Sequence, residues 1–151
     1  MLKRILTIVF LVLISTHSYS LTKNEEDFFQ AARDDDIVTF KKLLDAGIDI
    51  NLQNRDYGYT SLILATLNGR TGIAKEIINN GADINLQDEC GFTALMYATQ
   101  YSHTDLSYTA EYYYTDIAKE LINKGAKINI QDKEGLYRSN VCCNEWSYRN
   151  S

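Results

Sequence analysis

The sequence predicts an all-α solenoid of about three helix-turn-helix units joined by β-turn or hairpin loops, preceded by a signal peptide. Three observations carry this. Gly58-Tyr-Thr-Ser-Leu-Ile-Leu-Ala-Thr66 is nearly repeated as Gly91-Phe-Thr-Ala-Leu-Met-Tyr-Ala-Thr99, 33 residues on. Ile73-Ala-Lys-Glu-Ile-Ile-Asn-Asn-Gly-Ala-Asp-Ile-Asn-Leu-Gln-Asp88 is nearly repeated as Ile117-Ala-Lys-Glu-Leu-Ile-Asn-Lys-Gly-Ala-Lys-Ile-Asn-Ile-Gln-Asp132. Within each copy the apolar residues fall at helical spacing, and Asn and Gly break the runs. Self-similarity at such a period marks stacked units, each too small to bury its own apolar face.

The first element is a targeting segment, residues 1–20. Lys3 and Arg4 precede a nearly unbroken apolar run of ten residues from Ile5 to Ile14, and Ser18 and Ser20 are small. That pattern predicts cleavage between Ser20 and Leu21. Ten apolar residues span about 15 Å as a helix, about half the hydrocarbon thickness of a bilayer. Export of a mature chain that does not insert in the membrane is therefore expected, in the periplasm or outside the cell. An uncleaved N-terminal anchor is the alternative.

Repeat 1 (residues 23–52) opens with Thr22-Lys-Asn-Glu25, which has the form of a capping box. Phe28, Phe29, Ala31 and Ala32 follow on its first helix, Asp34, Asp35 and Asp36 occupy the link, and Val38 to Ala46 form the second helix. The three aspartates read as an acidic helix N-terminus, since they lack the glycine and distal Glu of a calcium loop. The acidic outer side suits an N-terminal cap. In repeat 2 (residues 57–86), Thr60 is positioned to cap a helix carrying Leu62, Ile63 and Ala65. Asn68-Gly-Arg-Thr-Gly72 breaks it, Ile73, Ala74, Ile77 and Ile78 make one face of a second helix, and Gly81 ends that helix.

Repeat 3 (residues 90–130) carries an inter-helix insertion within residues 101–114. Eleven more residues separate Ala98 from Ile117 than separate Ala65 from Ile73. The insertion holds Tyr101, Tyr108, Tyr112, Tyr113 and Tyr114. Tyrosine gives large contact area at low entropic cost. A partner-contact loop, an extended helix pair reaching beyond the stack, and rings packed back over the array all fit. Residues 131–151 read as an aborted repeat and irregular tail. The array reads as a shortened copy of a longer one, leaving an exposed apolar end; the alternative is a tail folded back with Tyr137, Val141 and Trp146 over the last repeat.

The succession G-x-T-x-L-x-x-A, I-A-K-E-[IL]-I and N-x-G-A-x-I-N-x-Q-D resembles the ankyrin repeat family over residues 23–135. The N-terminal signal on so compact an array is similar to the small exported, bacterial type. The family's Thr-Pro-Leu-His opening is replaced by Thr60-Ser-Leu-Ile63 and Thr93-Ala-Leu-Met96, and the chain has no proline. A looser array follows as an expectation. The resemblance implies a protein partner, met by turn tips and by the concave face of the first helices. Carried over by position, the tips are Arg55, Asp56, Tyr57 and Tyr59, then Glu89, Cys90 and Phe92. The inner-helix ends are Leu67 and Asn68, then Gln100 and Tyr101. With Tyr112, Tyr113 and Tyr114 of the insertion, Tyr57, Tyr59, Glu89, Phe92, Gln100 and Tyr101 are the candidate protein-binding residues.

Charge and composition narrow the partner class. The chain carries a formal net charge of −5, and losing Lys3 and Arg4 with residues 1–20 takes it to −7, since that segment holds no acid. Lys and Arg are scattered, so nucleic acid and anionic membrane surfaces are not expected partners. His103 is the one histidine beyond residue 20. It has no nucleophile elbow, metal-ligand cluster or glycine-rich phosphate loop around it. No catalytic, cofactor-binding or metal-binding residue is assigned, and the chain is not expected to be an enzyme. Cys90, Cys142 and Cys143 suit free thiols, or a long-range bridge from Cys90 to one of the other two. A repeat remnant that has lost its partner is the second reading of function.

Overall fold

The computed structural model describes residues 23–101 and 108–133. The expected signal segment with its expected Ser20–Leu21 cleavage, the expected capping residue Thr22, His103 and residues 134–151 lie outside them. The described residues form α1 (residues 23–34), α2 (Ile37–Asp45), α3 (Ser61–Leu67), α4 (Thr71–Asn79), α5 (Ala94–Tyr101) and α6 (Tyr108–Asn123). They pair as three antiparallel helix hairpins. α3 packs on α4 and on α5, α4 packs on α2 and on α6, and α5 packs on α6. One layer is thus built from the first helix of each unit and a second layer from the second.

The repeated residues occupy repeated environments. Ala32, Ala65 and Ala98, one per first helix, are fully buried. Ile73 and Ile117 are also fully buried, as are Ile77 and Leu121. Small residues on the inner layer let neighbouring hairpins approach, and the branched residues of the second helices fill the space between layers. Phe28 stacks on Phe40 at 4.4 Å between ring centroids, which closes the first hairpin. One apolar cluster runs from Phe28 to Leu121 through all three units.

Local chemistry sets the boundaries. The Thr60 hydroxyl accepts from the Ile63 amide at 3.2 Å and starts α3. The Asp36 carboxylate accepts from the Thr39 amide at 3.0 Å, so α2 begins and ends one residue earlier than the apolar pattern predicts. Thr71 and Gly72, expected in the link, form the first turn of α4. The reason lies 38 residues away: Asp35, in a left-handed conformation at φ 63°, accepts from the Ile73 amide at 2.7 Å. The acidic link of unit 1 therefore caps the second helix of unit 2. A Cβ on residue 72 would stand 3.1 Å from that carboxylate, which explains the glycine.

Polar ladders register the units. Gln53 Nε2 donates to Gln87 O at 2.8 Å, and Gln87 Nε2 donates to Gln131 O at 2.9 Å. Asn51 Oδ1 accepts from the Asp83 amide, and Asn85 Oδ1 from the Lys127 amide, both at 2.8 Å. Ion pairs Lys41–Glu76 at 2.9 Å and Lys75–Asp116 at 3.4 Å step along the outer helices. Glu76 is held below the usual carboxylate range by its bonds to Lys41 and Asn80. Both pairs are partly exposed to solvent and fix register more than they add stability.

Candidate functional site

Each finger between hairpins is a tight turn stabilised by one polar side chain. Asn54 Oδ1 accepts from the amides of Tyr57 and Tyr59 at 3.2 and 2.8 Å. Asp88 does the same in the next finger, accepting from Cys90 and Phe92 at 2.8 and 2.9 Å. The fingers are tied edge to edge by Glu89 N–Tyr57 O at 3.0 Å and Lys133 N–Cys90 O at 3.2 Å. That close approach needs glycine behind the tip. A Cβ at Gly91 would stand 2.6 Å from the Lys133 amide, at a φ of 87°.

Asp88 also accepts from the hydroxyl of buried Tyr97 at 2.6 Å. Burial, then the Asp88 carboxylate, pushes the Tyr97 phenol far above its ordinary range. Tyr59 meets Tyr97 edge-on at 6.2 Å and Phe92 lies at 5.4 Å. The pair is buried beside aromatic rings and holds the finger, with Tyr97 1% and Asp88 5% exposed.

The sequence candidates separate into two groups. Tyr59 is 5% exposed and stacks on Tyr57, and Tyr114 is 8% exposed. Tyr114 stacks on Tyr101 at 5.3 Å and donates its hydroxyl to Leu67 O at 3.2 Å, and burial raises its phenol. These rings face the stack, so Tyr59, Tyr101 and Tyr114 work as internal joints. Phe92 and Gln100 are half-buried, Tyr57 is half-buried beside its finger, and Glu89 is exposed. Tyr112 and Tyr113 are exposed and meet each other edge-on at 6.1 Å.

The insertion takes the form of a longer helix as far as it is described. α6 has 16 residues and α4 has 9, and the extra turns all precede Ile117. Seven added residues carry the helix about 10 Å further. Tyr112 and Tyr113 sit on that projecting part, while Tyr114 anchors it to the end of α3 through Leu67. The switch between outward and inward rings over three consecutive tyrosines follows from 100° per residue, a period the residue count alone does not phase.

One groove is not legible in the sequence. A cleft of about 670 Å³ lies between α1 and the first finger. Glu25, Glu26, Asp27 and Asp56 line it together with Arg33, Arg55, Gln30, Phe29 and Leu52. Arg55 approaches Glu25 at 4.0 Å across its mouth. Only Arg55 and Asp56 of these were legible as candidates, because the others become neighbours when the finger folds over α1.

Cys90 is held in a disulfide, so the free-thiol reading does not apply to it. Cys142 and Cys143 lie outside the described residues. Among the described residues, no helix is long and apolar enough to cross a membrane.

Comparison with known proteins agrees with this geometry. A family model described as ankyrin repeats in three copies matches residues 28–132. Over 94 residues the chain is 35% identical to the E3 ubiquitin-protein ligase XBAT33 of Arabidopsis thaliana, covering 62% of this chain and 18% of that protein. Over 75 residues it is 32% identical to the mitochondrial disaggregase of Bos taurus, covering 48% and 11%. Over 52 residues it is 38% identical to the ankyrin repeat and SAM domain-containing protein 6 of Rattus norvegicus, covering 34% and 6%. The chain spans less than a fifth of each of these relatives.

Proposed function

The chain belongs to the ankyrin repeat family, and from that membership we propose that it is an exported, non-catalytic module that binds another protein. The observation that carries the reading is the array's division of labour. Among the described residues, buried polar and aromatic side chains such as Tyr97 and Asp88 lock fingers and units together. The finger tips, the cleft beside α1 and the projecting Tyr112–Tyr113 edge remain available on the surface.

The contact surface in this reading comprises Arg55, Asp56 and Tyr57 of the first finger, Glu89 of the second, half-buried Phe92 and Gln100, and Tyr112 with Tyr113. Tyr59, Tyr101 and Tyr114 support it from beneath. The acidic lining of the cleft and the net charge favour a protein partner with apolar spots and basic character over nucleic acid or an anionic bilayer. Export rests on residues 1–20, with cleavage between Ser20 and Leu21 into the periplasm or the exterior, in the manner of the small bacterial type. The ligase and disaggregase activities named above belong to much larger proteins and are not carried over.

Affinity capture with the folded chain and with a Tyr112→Ala, Tyr113→Ala variant tests the proposal, with circular dichroism matching the two baits. A partner retained by the parent and lost by the variant supports it. A folded parent that retains nothing specific returns the repeat-remnant reading. Intact mass of the protein recovered from its native host reports cleavage: a mass starting at Leu21 supports export, and a full-length mass supports the anchored alternative.

A further inference from the structure

The finger ladder is open at its first rung. Two hydrogen bonds recur along it. Lys133 N donates to Cys90 O at 3.2 Å, and Glu89 N donates to Tyr57 O at 3.0 Å, so each finger gives an amide to the one before it. Gln131 O accepts from Gln87 Nε2 and Gln87 O accepts from Gln53 Nε2, so each also offers a carbonyl to the unit before it. Asp56 stands two residues before Gly58 as Glu89 stands two before Gly91. The Asp56 amide and Gln53 O are therefore the donor and acceptor that a preceding finger would meet. Among the described residues, neither has a hydrogen-bond partner. An edge of unpaired N–H and C=O groups is a template for another extended chain.

The cleft of about 670 Å³ lies along this edge, with Gln53 and Asp56 in one wall and α1 in the other. It occupies the side of the first finger on which a preceding finger would stack. Buried Phe29 and half-buried Leu52 supply its apolar part. Its charge is unbalanced, because Glu25, Glu26, Asp27 and Asp56 share it with two cations, Arg33 and Arg55. Neither guanidinium is held tightly. Arg33 reaches Gln30 at 3.4 Å, and Arg55, its side chain 83% exposed, approaches Glu25 at 4.0 Å. An exposed pair at that distance contributes little, so an incoming cation can take the place of Arg55. The aliphatic stem of a lysine or arginine can lie on the apolar part while its head meets the carboxylates.

We propose that this cleft takes an extended, basic peptide segment of the partner, which continues the finger ladder. A carbonyl of the segment accepts from the Asp56 amide, and one of its N–H groups donates to Gln53 O. A lysine or arginine of the segment enters among Glu25, Glu26, Asp27 and Asp56. Main-chain bonds then supply the fit of an added strand, and the carboxylates supply the choice of side chain. The ladder sets the main-chain requirement and the lining sets the charge requirement, so the two can be tested apart. The inference rests on the protein-binding reading above and deepens it at one site. Failure here leaves that reading standing, because capture through the Tyr112–Tyr113 edge is read separately.

The experiment uses the full chain labelled with nitrogen-15 and three short blocked peptides. The first alternates lysine and valine, the second alternates glutamate and valine, and the third is the lysine peptide with its main-chain amides methylated. Amide shifts locate binding, and hydrogen exchange reads the Asp56 amide. The lysine peptide is expected to bind with a Kd of about 1 mM or tighter. It should shift the Asp56 amide and slow its exchange about tenfold. The glutamate and methylated peptides should do neither. Glu26→Gln with Asp27→Asn, both exposed, should weaken the lysine peptide about threefold or more with unchanged circular dichroism. Equal binding of the glutamate peptide removes the charge requirement and overturns the proposal. Equal binding of the methylated peptide removes the ladder and overturns it too. So do shifts that spare Asp56, or no binding by a folded chain. An Asp56 amide already slow to exchange in the free chain overturns it in favour of the chain's own residues on this edge.

Discussion

The Tyr97 hydroxyl donates to Asp88 at 2.6 Å, and through that bond the inner helix of the third hairpin grips the finger that precedes it. Asp88 Oδ1 simultaneously fixes the amides of Cys90 and Phe92. Removing the hydroxyl leaves a buried carboxylate oxygen without its donor. Tyr97→Phe is therefore expected to cost about 1–3 kcal/mol. The urea midpoint of the variant against the parent checks this, and a change under about 0.5 kcal/mol contradicts the assignment.

The same bond sets an alkaline limit. The folded chain holds the Tyr97 phenol above its ordinary range, first by burial and then by the Asp88 charge. The unfolded chain releases this proton from about pH 10, and the folded chain does not. Stability from this group is complete below that pH and is lost as pH rises further, because the unfolded state then binds fewer protons than the folded one. The parent should lose stability more steeply than Tyr97→Phe between pH 9.5 and about 11.5. Parallel curves in that window contradict it.

Finger spacing predicts a contrast between two glycines. Gly81 and Gly91 both have positive φ, but only Gly91 has a neighbour, the Lys133 amide 2.6 Å from where a Cβ would lie. Gly81→Ala meets backbone strain alone, about 1 kcal/mol. Gly91→Ala meets strain and a backbone clash, and its thermal midpoint should fall well below that of Gly81→Ala. Equal midpoints show that the fingers are not in contact in solution.

The three consecutive tyrosines give a matched set. Tyr114 is buried against Tyr101 and bonded to Leu67 O, while Tyr112 is 66% exposed. Tyr114→Ala should cost about 3 kcal/mol. Tyr112→Ala should stay within about 0.5 kcal/mol. Chemical denaturation of both variants decides whether the helix extension is anchored through Tyr114.

Much of this architecture is legible in the sequence because near-identical segments must occupy near-identical environments. The burial of Ile73 and Ile117, the cap at Thr60 and the left-handed Gly81 all follow from pattern and local chemistry. Contacts that cross units are not legible, since no local rule pairs Asp35 with the Ile73 amide. The same holds for the cleft beside α1, which exists only once the first finger folds over Glu25 and Gln30. Whether Tyr59 and Tyr114 face outward or inward is not legible for a related reason. An aromatic ring suits a binding edge and an internal joint equally, and the choice depends on neighbours such as Tyr57 and Tyr101.

The face of the array that meets a protein can be identified directly. Photo-reactive amino acids placed singly at Asp56, Glu89 and Tyr112 sample the fingers and the projecting helix, and one at Val38, 80% exposed on α2, samples the outer layer. Irradiation in the native host followed by mass analysis is the direct measurement. One protein crosslinked from Asp56, Glu89 or Tyr112 and absent from Val38 is the expected result. Crosslinking from Val38 alone, or none from any of the four positions in folded protein, contradicts it.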